Sequence, residues 1–292
     1  MNSLLLFVFG AAIGSFLNVV SLRYKEGGRI FFTKTIQGRS HCNACLRTLS
    51  WYELIPLFSY LFLLGKCKTC RVKLSPQYFL IEAACGLLVA TIPHFLFMHL
   101  GGSSLLRTQE GIILLCLVVF IWLLITFTAL TLTAIDIRLK IIPDETNVFL
   151  AILGIGLFCI RYIFDKSFVY GSFTGPSAQI LGHSQNLFTS SGIAILFALF
   201  LFGRIVLLTR GRGMGMGDVK LAIPMALILG WPDTLIAFVA AFIIGSVVGI
   251  FQMARKKATM KAMLPFGPFL IAGMYVVVFF GRDILEWYFG LL

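Results

Sequence analysis

The first notable property of this 292-residue sequence is how little charge it carries. Only 12% of its residues are charged, against about 25% in ordinary soluble domains, and the mean hydropathy is +0.96. A chain of this composition lacks the polar groups to cover its surface in water, which excludes a soluble globular protein. The first three residues contain no Lys or Arg. They make a poor signal-peptide start, so residues 4–22 are predicted to be a retained membrane span.

Other absences narrow the function. The segment GMGMGDVK is rich in glycine but lacks the spacing of a nucleotide-binding P-loop. No glycine-rich fingerprint of a soluble cofactor-binding domain occurs, and no internal repeat is expected. The net charge of +12 indicates membrane orientation rather than a nucleic-acid partner.

Apolar segments long enough for membrane helices recur along the chain. They are residues 4–22, 78–100, 111–135, 148–164, 187–208, 219–229, 234–253 and 264–289. The sixth covers only roughly 17 Å at about 1.5 Å per residue. With the N-terminus outside and eight crossings, 20 of the 24 Lys and Arg residues fall in inside loops, as cytoplasmic loops require. The prediction is an all-α polytopic membrane protein of about eight transmembrane helices.

The spans and the segments between them predict three parts of the chain. Residues 1–22 form the first helix, residues 23–77 a basic cytoplasmic loop domain, and residues 78–292 the transmembrane core. Residues 165–186, rich in Gly and Ser, are expected to form a flexible loop on the outer side.

The cytoplasmic loop contains two CxxC pairs, Cys42/Cys45 and Cys67/Cys70, separated by 21 residues. This spacing is typical of a tetrahedral four-thiolate zinc site. A loop of this size buries little core, and structural zinc supplies on the order of 10 kcal/mol of folding free energy. Disulfides are the alternative, which a reducing cytoplasm disfavours.

Two acids lie where apolar spans meet the predicted cytoplasmic boundary, Asp136 at the end of the third span and Asp218 at the start of the sixth. Each alone is as consistent with a boundary residue or helix cap. Together they suggest a carboxylate pair, in which one member activates water and the other donates a proton. Gly215 and Gly217 would permit unusual backbone shapes and close approach of a peptide. Asp144 is typical of a helix start, and Lys220 of a side chain that reaches the interface.

At this point the chain resembles the type IV prepilin peptidase family over nearly its whole length. The resemblance is carried, in order, by GSFLNVVSLR, the paired CxxC loop, SWYELIPLFSYL, SPQYFLIE, AIDIRLKIIPD, GMGDVKLA and LPFGPFLIAG. It implies a multi-pass bacterial inner-membrane aspartic protease, of the GxGD type, whose active site faces the cytoplasm. Asp136 and Asp218 match the family's catalytic pair, and Asp144 takes a supporting position.

The same resemblance implies the substrates and a second activity. The enzyme would remove the basic leader of type IV prepilins, or of the pseudopilins of type II secretion. Members with the long cysteine loop typically also methylate the new N-terminus, using S-adenosylmethionine. Asn18, Arg23 and Glu82 match family motifs. As polar residues at membrane spans they are candidates for binding that cofactor, and the alternative role is hydrogen bonding between packed helices.

Two alternatives stay open at this stage. One is a peptidase without methyltransferase activity, and the other is a cation transporter whose cysteine loop senses metal. These motifs do not set which prepilins are cleaved, or the oligomeric state.

Overall fold

The computed structural model describes residues 2–28, 38–42, 44–100, 108–163, 172–182, 186–211, 213–255 and 264–290. Nine α-helices lie in these ranges. They are α1 (Ser3–Arg23), α2 (Phe58–Phe62), α3 (Gln77–His99), α4 (Gln109–Leu139), α5 (Asp144–Ile163), α6 (Leu187–Thr209), α7 (Met216–Leu229), α8 (Asp233–Ala254) and α9 (Gly267–Gly290). Short 3-10 helices cover Trp51–Leu54 and Gly175–Leu181.

The chain divides into two compact units. The first contains Met1–Leu96 and Trp122–Leu139, and therefore holds the cysteine loop between α1 and α3. The second contains Phe97–Ile121 and Lys140–Leu292, and therefore holds α5 to α9. The long helix α4 contributes to both.

Seven of the described helices have the length and hydropathy of a membrane span, namely α1, α3, α4, α5, α6, α8 and α9. The all-helical, multi-pass architecture predicted from the sequence is thus confirmed. Helix α7, the predicted sixth span, begins three residues earlier than expected and still has only 14 residues. It extends roughly 21 Å, less than the ~30 Å of a bilayer core.

Helix α7 is largely enclosed by protein within the second unit. Nine of its 14 residues are buried. Just after its C-terminal end, the Trp231 N–H donates to Ser190 Oγ at 3.0 Å, in the first turn of α6. Helices α6 and α7 therefore run antiparallel, and α7 returns the chain to the end where α6 began. A helix sheathed in this way does not have to match the bilayer thickness.

In the first unit, glycines bring α1 and α3 into close contact. A methyl group on Gly10 would lie 2.7 Å from Val89 Cβ, and one on Gly14 would lie 2.9 Å from Cys85 Cβ. Small residues spaced four apart let helix backbones approach in a membrane. Leu17 and Ile81 extend this contact into the core of the unit.

The segment expected to be a flexible outer loop is partly ordered. Residues 172–182 are described, and they are fastened by the buried carboxylate of Asp233 at the start of α8. This carboxylate accepts hydrogen bonds from Ser172 Oγ, from the Phe173 N–H at 2.8 Å and from Thr174 Oγ1 at 2.9 Å. The flexibility predicted for residues 165–171 and 183–185, and the basic Lys256, Lys257 and Lys261 used to orient the chain, fall outside the described residues.

Candidate active and metal sites

Asp136 lies in the last turns of α4, in the first unit, and its side chain is buried with 3% exposure. Two hydrogen bonds hold this end of α4 in place. Gln77 Nε2 donates to the Ala134 carbonyl at 2.9 Å, and the Arg138 guanidinium donates to the Leu22 carbonyl. The second bond places a cation on the carbonyl end of α1, where the helix dipole favours positive charge. The sequence reading did not single out Arg138, although it follows Asp136 by two residues.

Asp218 is the third residue of α7, in the second unit, and is buried with 9% exposure. Its Oδ2 accepts the backbone N–H of Gly215 at 3.3 Å, and its own N–H donates back to the Gly215 carbonyl at 3.2 Å. This reciprocal arrangement fixes the carboxylate at the N-terminal end of α7, where the helix dipole favours negative charge. Asp136 and Asp218 belong to different units, and their pairing remains a prediction.

The glycines before Asp218 do not have the backbone shapes expected of them, and the close approach of a peptide to them remains a prediction. Gly215 has an ordinary extended backbone (φ −79°), and Gly217 is not among the described glycines with positive φ. The unusual backbone shapes predicted for them are therefore wrong. Gly217 is small because a methyl group there would lie 3.2 Å from Ile142 Cβ, in the segment that leads into α5.

Asp144 and Lys220 form an ion pair. The distance from Lys220 Nζ to Asp144 Oδ1 is 2.7 Å, and both side chains are exposed. The pair joins the first turn of α5 to the first turns of α7. An exposed pair of this kind contributes about 0–1 kcal/mol, so its main effect is to orient the two helix starts.

The four cysteines of the loop form one cluster. The sulfur atoms of Cys42, Cys45, Cys67 and Cys70 all lie within 4.8 Å of one another. All four are free thiols, and Cys42 and Cys67 are buried. Four convergent sulfurs are the ligand set of a structural Zn²⁺ or a related thiophilic metal, with no position left for water.

The two cysteine knuckles are repeats of one another, which corrects the expectation of no internal repeat. Residues 41–50 (HCNACLRTLS) and 66–75 (KCKTCRVKLS) align on C-x-x-C-x-x-x-L-S. In both, the first cysteine donates its N–H to the carbonyl five residues later at 2.9 Å. In both, the residue after the second cysteine has a positive φ, 56° and 54°. The repeat is short enough to escape a search for whole domains, but the shared Leu-Ser was a visible signal.

Backbone N–H groups prepare this cluster for thiolates. The Cys45 N–H lowers the pKa of Cys42, and the Cys70 N–H lowers the pKa of Cys67 to about 6. The pKa of Cys70 is raised to about 11. The Val72 N–H acts to lower it, but burial and the neighbouring thiols outweigh that effect. The buried thiols are thus the readily ionised ones, which suits metal binding.

Glu53 is a buried support of the loop that the sequence reading missed. Its carboxylate accepts two hydrogen bonds from Arg47 Nη2, at 2.7 and 2.9 Å, and one from the Ser50 N–H at 2.9 Å. These bonds connect the end of the first knuckle to the 3-10 helix Trp51–Leu54. Burial acts to raise the pKa of Glu53, but the Ser50 N–H and Arg47 outweigh it, so the carboxylate pKa is lowered.

A cavity of about 560 Å³ lies within the first unit, between the cysteine loop and the ends of α1 and α3. Its polar and charged lining includes Arg23, Glu53, Lys66, Lys73, Tyr78 and Glu82, and Cys42 and Cys67 lie in its wall. Its volume is in the range of small-molecule sites, about 300–1,000 Å³. The mixture of acids, cations and tyrosines fits a charged organic molecule better than a purely apolar one.

Two of the three residues predicted as cofactor candidates line this cavity. Glu82 Oε2 accepts the Leu57 N–H at 2.7 Å, and Leu57 has a positive φ of 62°, which costs energy for a residue with a side chain. Arg23 donates to the carbonyls of Gly38 and Arg39, at 3.0 and 3.2 Å. The third candidate, Asn18, takes part in helix packing instead.

That third candidate, Asn18, is buried and donates to the Tyr78 carbonyl at 3.1 Å. This bond joins α1 to the start of α3. It is the helix-to-helix hydrogen bond that was the alternative to a ligand role. Asn18 therefore holds in place a residue, Tyr78, that lines the cavity.

Two family models of known proteins match different parts of the chain. Residues 8–96 match the family model of the bacterial peptidase A24 N-terminal domain, and residues 117–250 match that of the type IV leader peptidase family. Among curated relatives named prepilin leader peptidase/N-methyltransferase, that of Burkholderia pseudomallei (strain 1026b) is 30% identical over 94% of this chain and 84% of its own length. Those of Bacillus subtilis (strain 168) and Aeromonas hydrophila are 29% and 27% identical, each over 97% of this chain, and over 96% and 92% of their own lengths. No solved structure matches the chain significantly.

Fold and sites thus define a multi-pass, all-helical membrane protein with two buried carboxylates, Asp136 and Asp218, and a four-cysteine loop. The chain belongs to the type IV prepilin peptidase (peptidase A24) family.

Proposed function

We propose that this protein cleaves the leader peptide of type IV prepilins or pseudopilins at the cytoplasmic face of the bacterial inner membrane, with Asp136 and Asp218 as its catalytic pair. The observation that carries the proposal is the burial of these two acids, 3% and 9% exposed, in the motifs AIDIRLKIIPD and GMGDVKLA of a family named for leader cleavage. Carboxylates are rarely buried without a chemical or structural task.

Peptide hydrolysis needs a base that removes a proton from water and an acid that protonates the leaving amine. Two carboxyl groups that hold one water between them supply both, because they share a single proton. The pair titrates as a unit, so the roles of base and acid are not divided between Asp136 and Asp218. No metal is needed in this scheme. Membership of a peptidase family favours this scheme over the alternative of a cation transporter.

The distribution of charge supports the proposed sidedness. The starts of α5 and α7 lie at one end of the second unit, where Lys220 pairs with Asp144. Arg210 caps the end of α6, shortly before α7 begins. Positive charge collects on the cytoplasmic side of membrane proteins. A prepilin with a basic leader and an apolar helix would leave that helix in the bilayer and present its cleavage site at this boundary.

The test is to replace each acid by its amide. Asp136→Asn and Asp218→Asn should each lower cleavage of a prepilin-like peptide by at least about 1,000-fold, as expected for loss of an acid–base group. Both should remain folded, with unchanged thermal midpoint and metal content. Asp283→Asn, which changes an exposed acid of α9, is the matched control and should cleave normally. Normal cleavage by either test variant rules out the catalytic pair.

We further propose that the protein methylates the new N-terminus and that the cavity of the first unit holds the methyl donor. The residues present fit S-adenosylmethionine, which is a zwitterion carrying a sulfonium. Glu82 offers a carboxylate for positive charge, Arg23 and Lys66 offer cations for a carboxylate, and Tyr78 offers a ring for the adenine. When bound, this cofactor supplies an electrophilic methyl group to an amine.

Binding can be measured apart from activity. Glu82→Gln and Arg23→Met should each weaken binding of S-adenosylhomocysteine or a similar inert analogue, by roughly tenfold, in calorimetry on the purified protein. Glu110→Gln, at the exposed start of α4, is the control. Unchanged affinity in both test variants rejects the cavity as the cofactor site. Mass spectrometry of the N-terminus of the mature substrate identifies a peptidase without methylation, because the added mass of one methylation, about 14 Da, would be absent.

A further inference from the structure

One buried polar side chain of the second unit has no partner. Asn147 lies in the first turns of α5 and is 7% exposed, and neither its Oδ1 nor its Nδ2 has a hydrogen-bond partner among the residues that the structure describes. Its neighbour Thr146, equally buried, donates its hydroxyl to the Pro143 carbonyl at 2.7 Å. Buried amides are nearly always paired, so an orphaned one requires an explanation.

The packing of α5 against α7 fixes the level of Asn147. A methyl group on Gly154 would lie 3.1 Å from Leu227 Cδ2, and one on Gly217 would lie 3.2 Å from Ile142 Cβ. The residue numbers in these two contacts differ by 73 and by 75, which shows that α5 and the segment before it run parallel to α7. Asn147 therefore lies about three residues, or ~4.5 Å along the helix axis, deeper than the level of Asp218.

Both helices contain buried apolar residues near this level, and α7 also has the exposed Lys220 there. Leu221 and Ala222 of α7 and Leu150 of α5 are all buried. A second apolar side chain would pack against them at lower cost than an amide, because an unsatisfied polar group loses its hydration without compensation. A bound group that pairs with the amide would offset this loss.

We propose that Asn147 is a substrate-binding residue whose side-chain amide hydrogen-bonds to the main chain of the prepilin beside its cleavage site. A primary amide offers both donors and an acceptor, which is the complement of a peptide group. A peptide that reaches Asp218 and continues into the membrane as an apolar segment passes the level of Asn147 one helical turn further on. This inference rests on the proposed peptidase function.

The test replaces the amide by an apolar group of similar size. Asn147→Leu should raise KM for a prepilin-like peptide on the order of 10-fold to 100-fold, the effect of losing one or two buried hydrogen bonds to substrate. Its thermal midpoint should stay unchanged or rise, because a buried unsatisfied group has been removed. Asn147→Ser, which keeps a small donor and acceptor, should recover part of the affinity.

The matched control is Thr146→Val, which removes a buried hydroxyl whose partner lies inside the protein. It should lower the thermal midpoint and leave KM unchanged. If Asn147→Leu behaves in this way, the amide binds an internal water or another group of the protein, and the inference is overturned. An Asn147→Leu enzyme with wild-type KM overturns it too.

Failure of this inference is distinct from failure of the proposed function. Asp218→Asn measured in the same assay decides the latter, since normal cleavage by that variant removes the peptidase assignment itself. An inactive Asp218→Asn beside a fully active Asn147→Leu rejects only the role of Asn147.

Discussion

Removal of the metal from the cysteine loop should separate the two proposed activities. In the variant, Cys42, Cys45, Cys67 and Cys70 are all replaced by Ser, which keeps the size of the side chain but removes the thiolates. Because Cys42 and Cys67 lie in the wall of the cavity, the loss of metal is expected to reach the cofactor site directly.

The size of the effect follows from how little else holds the loop. In its described part, residues 38–42 and 44–76, the cysteines Cys42 and Cys67 are the buried hydrophobic side chains. The Arg47–Glu53 ion pair adds little by comparison, because the Arg47 side chain is 30% exposed to solvent. A structural zinc contributes about 10–16 kcal/mol. Nothing of comparable size remains after its removal, so the loop should unfold.

Four measurements on the purified protein check this. Zinc content should fall to background, and the loop should become sensitive to limited proteolysis. Affinity for S-adenosylhomocysteine should fall by at least about 100-fold as the cavity is lost. Cleavage of a prepilin-like peptide should persist to within about tenfold, because Asp136 is held by α1, α3 and α4 and Asp218 by α5 and α7.

The control is Cys116→Ser, an exposed thiol in α4 that should change none of these quantities. The reasoning is refuted if the four-serine variant keeps a protease-resistant loop and unchanged analogue binding. It is equally refuted if zinc content is unchanged, since the metal would then be held elsewhere.

Three further substitutions test packing at the two ends of the second unit. Gly217→Ala should lower cleavage about tenfold, because the added methyl displaces the backbone beside the catalytic acid by a few tenths of an ångström. Gly203→Ala, where a methyl group would meet nothing within 4 Å, should cleave normally, and equal kinetics for the two would contradict the packing role. Asp233→Ala should destabilise the protein by about 3–5 kcal/mol in thermal unfolding, because three donors lose their acceptor, whereas an unchanged midpoint would show that residues 172–174 need no clamp. Lys220→Met should change the free energy of unfolding by less than about 1 kcal/mol and cleavage by only a few-fold, since its partner Asp144 is exposed; a loss of 100-fold would give Lys220 a catalytic role.

The relation between sequence and structure differs between the parts of the site. The acids Asp136 and Asp218 stand out in a chain with only 12 acids, and the CxxC spacing identifies a four-thiolate cluster without coordinates. The residues that hold each of these groups in place were harder to predict from the sequence. Arg138 and Glu53 lie inside the motifs AIDIRLKIIPD and SWYELIPLFSYL, but those motifs do not indicate their partners. Their roles depend on which carbonyl or guanidinium the fold brings within reach.

Glycine roles illustrate the same limit of pattern. Gly217 is present because Ile142 lies against it, a contact between segments 75 residues apart, and not because the backbone there has an unusual conformation. Local sequence signals a small residue, but the reason for it is the neighbour. The amide of Asn147, which has no partner among the described residues, is likewise visible only in the folded chain.

By itself, the sequence determined the membrane class, the helical architecture and the four-cysteine cluster, because hydrophobic length, charge distribution and cysteine spacing are local properties. The tertiary structure decided the rest. It showed that the 14-residue α7 is enclosed by α5 and α6, that Glu82 and Arg23 line a cavity while Asn18 packs two helices, and that Asp233 fastens the segment 172–174. Each of these depends on which distant side chains and carbonyls fall within a few ångströms, and that is set only when the helices pack.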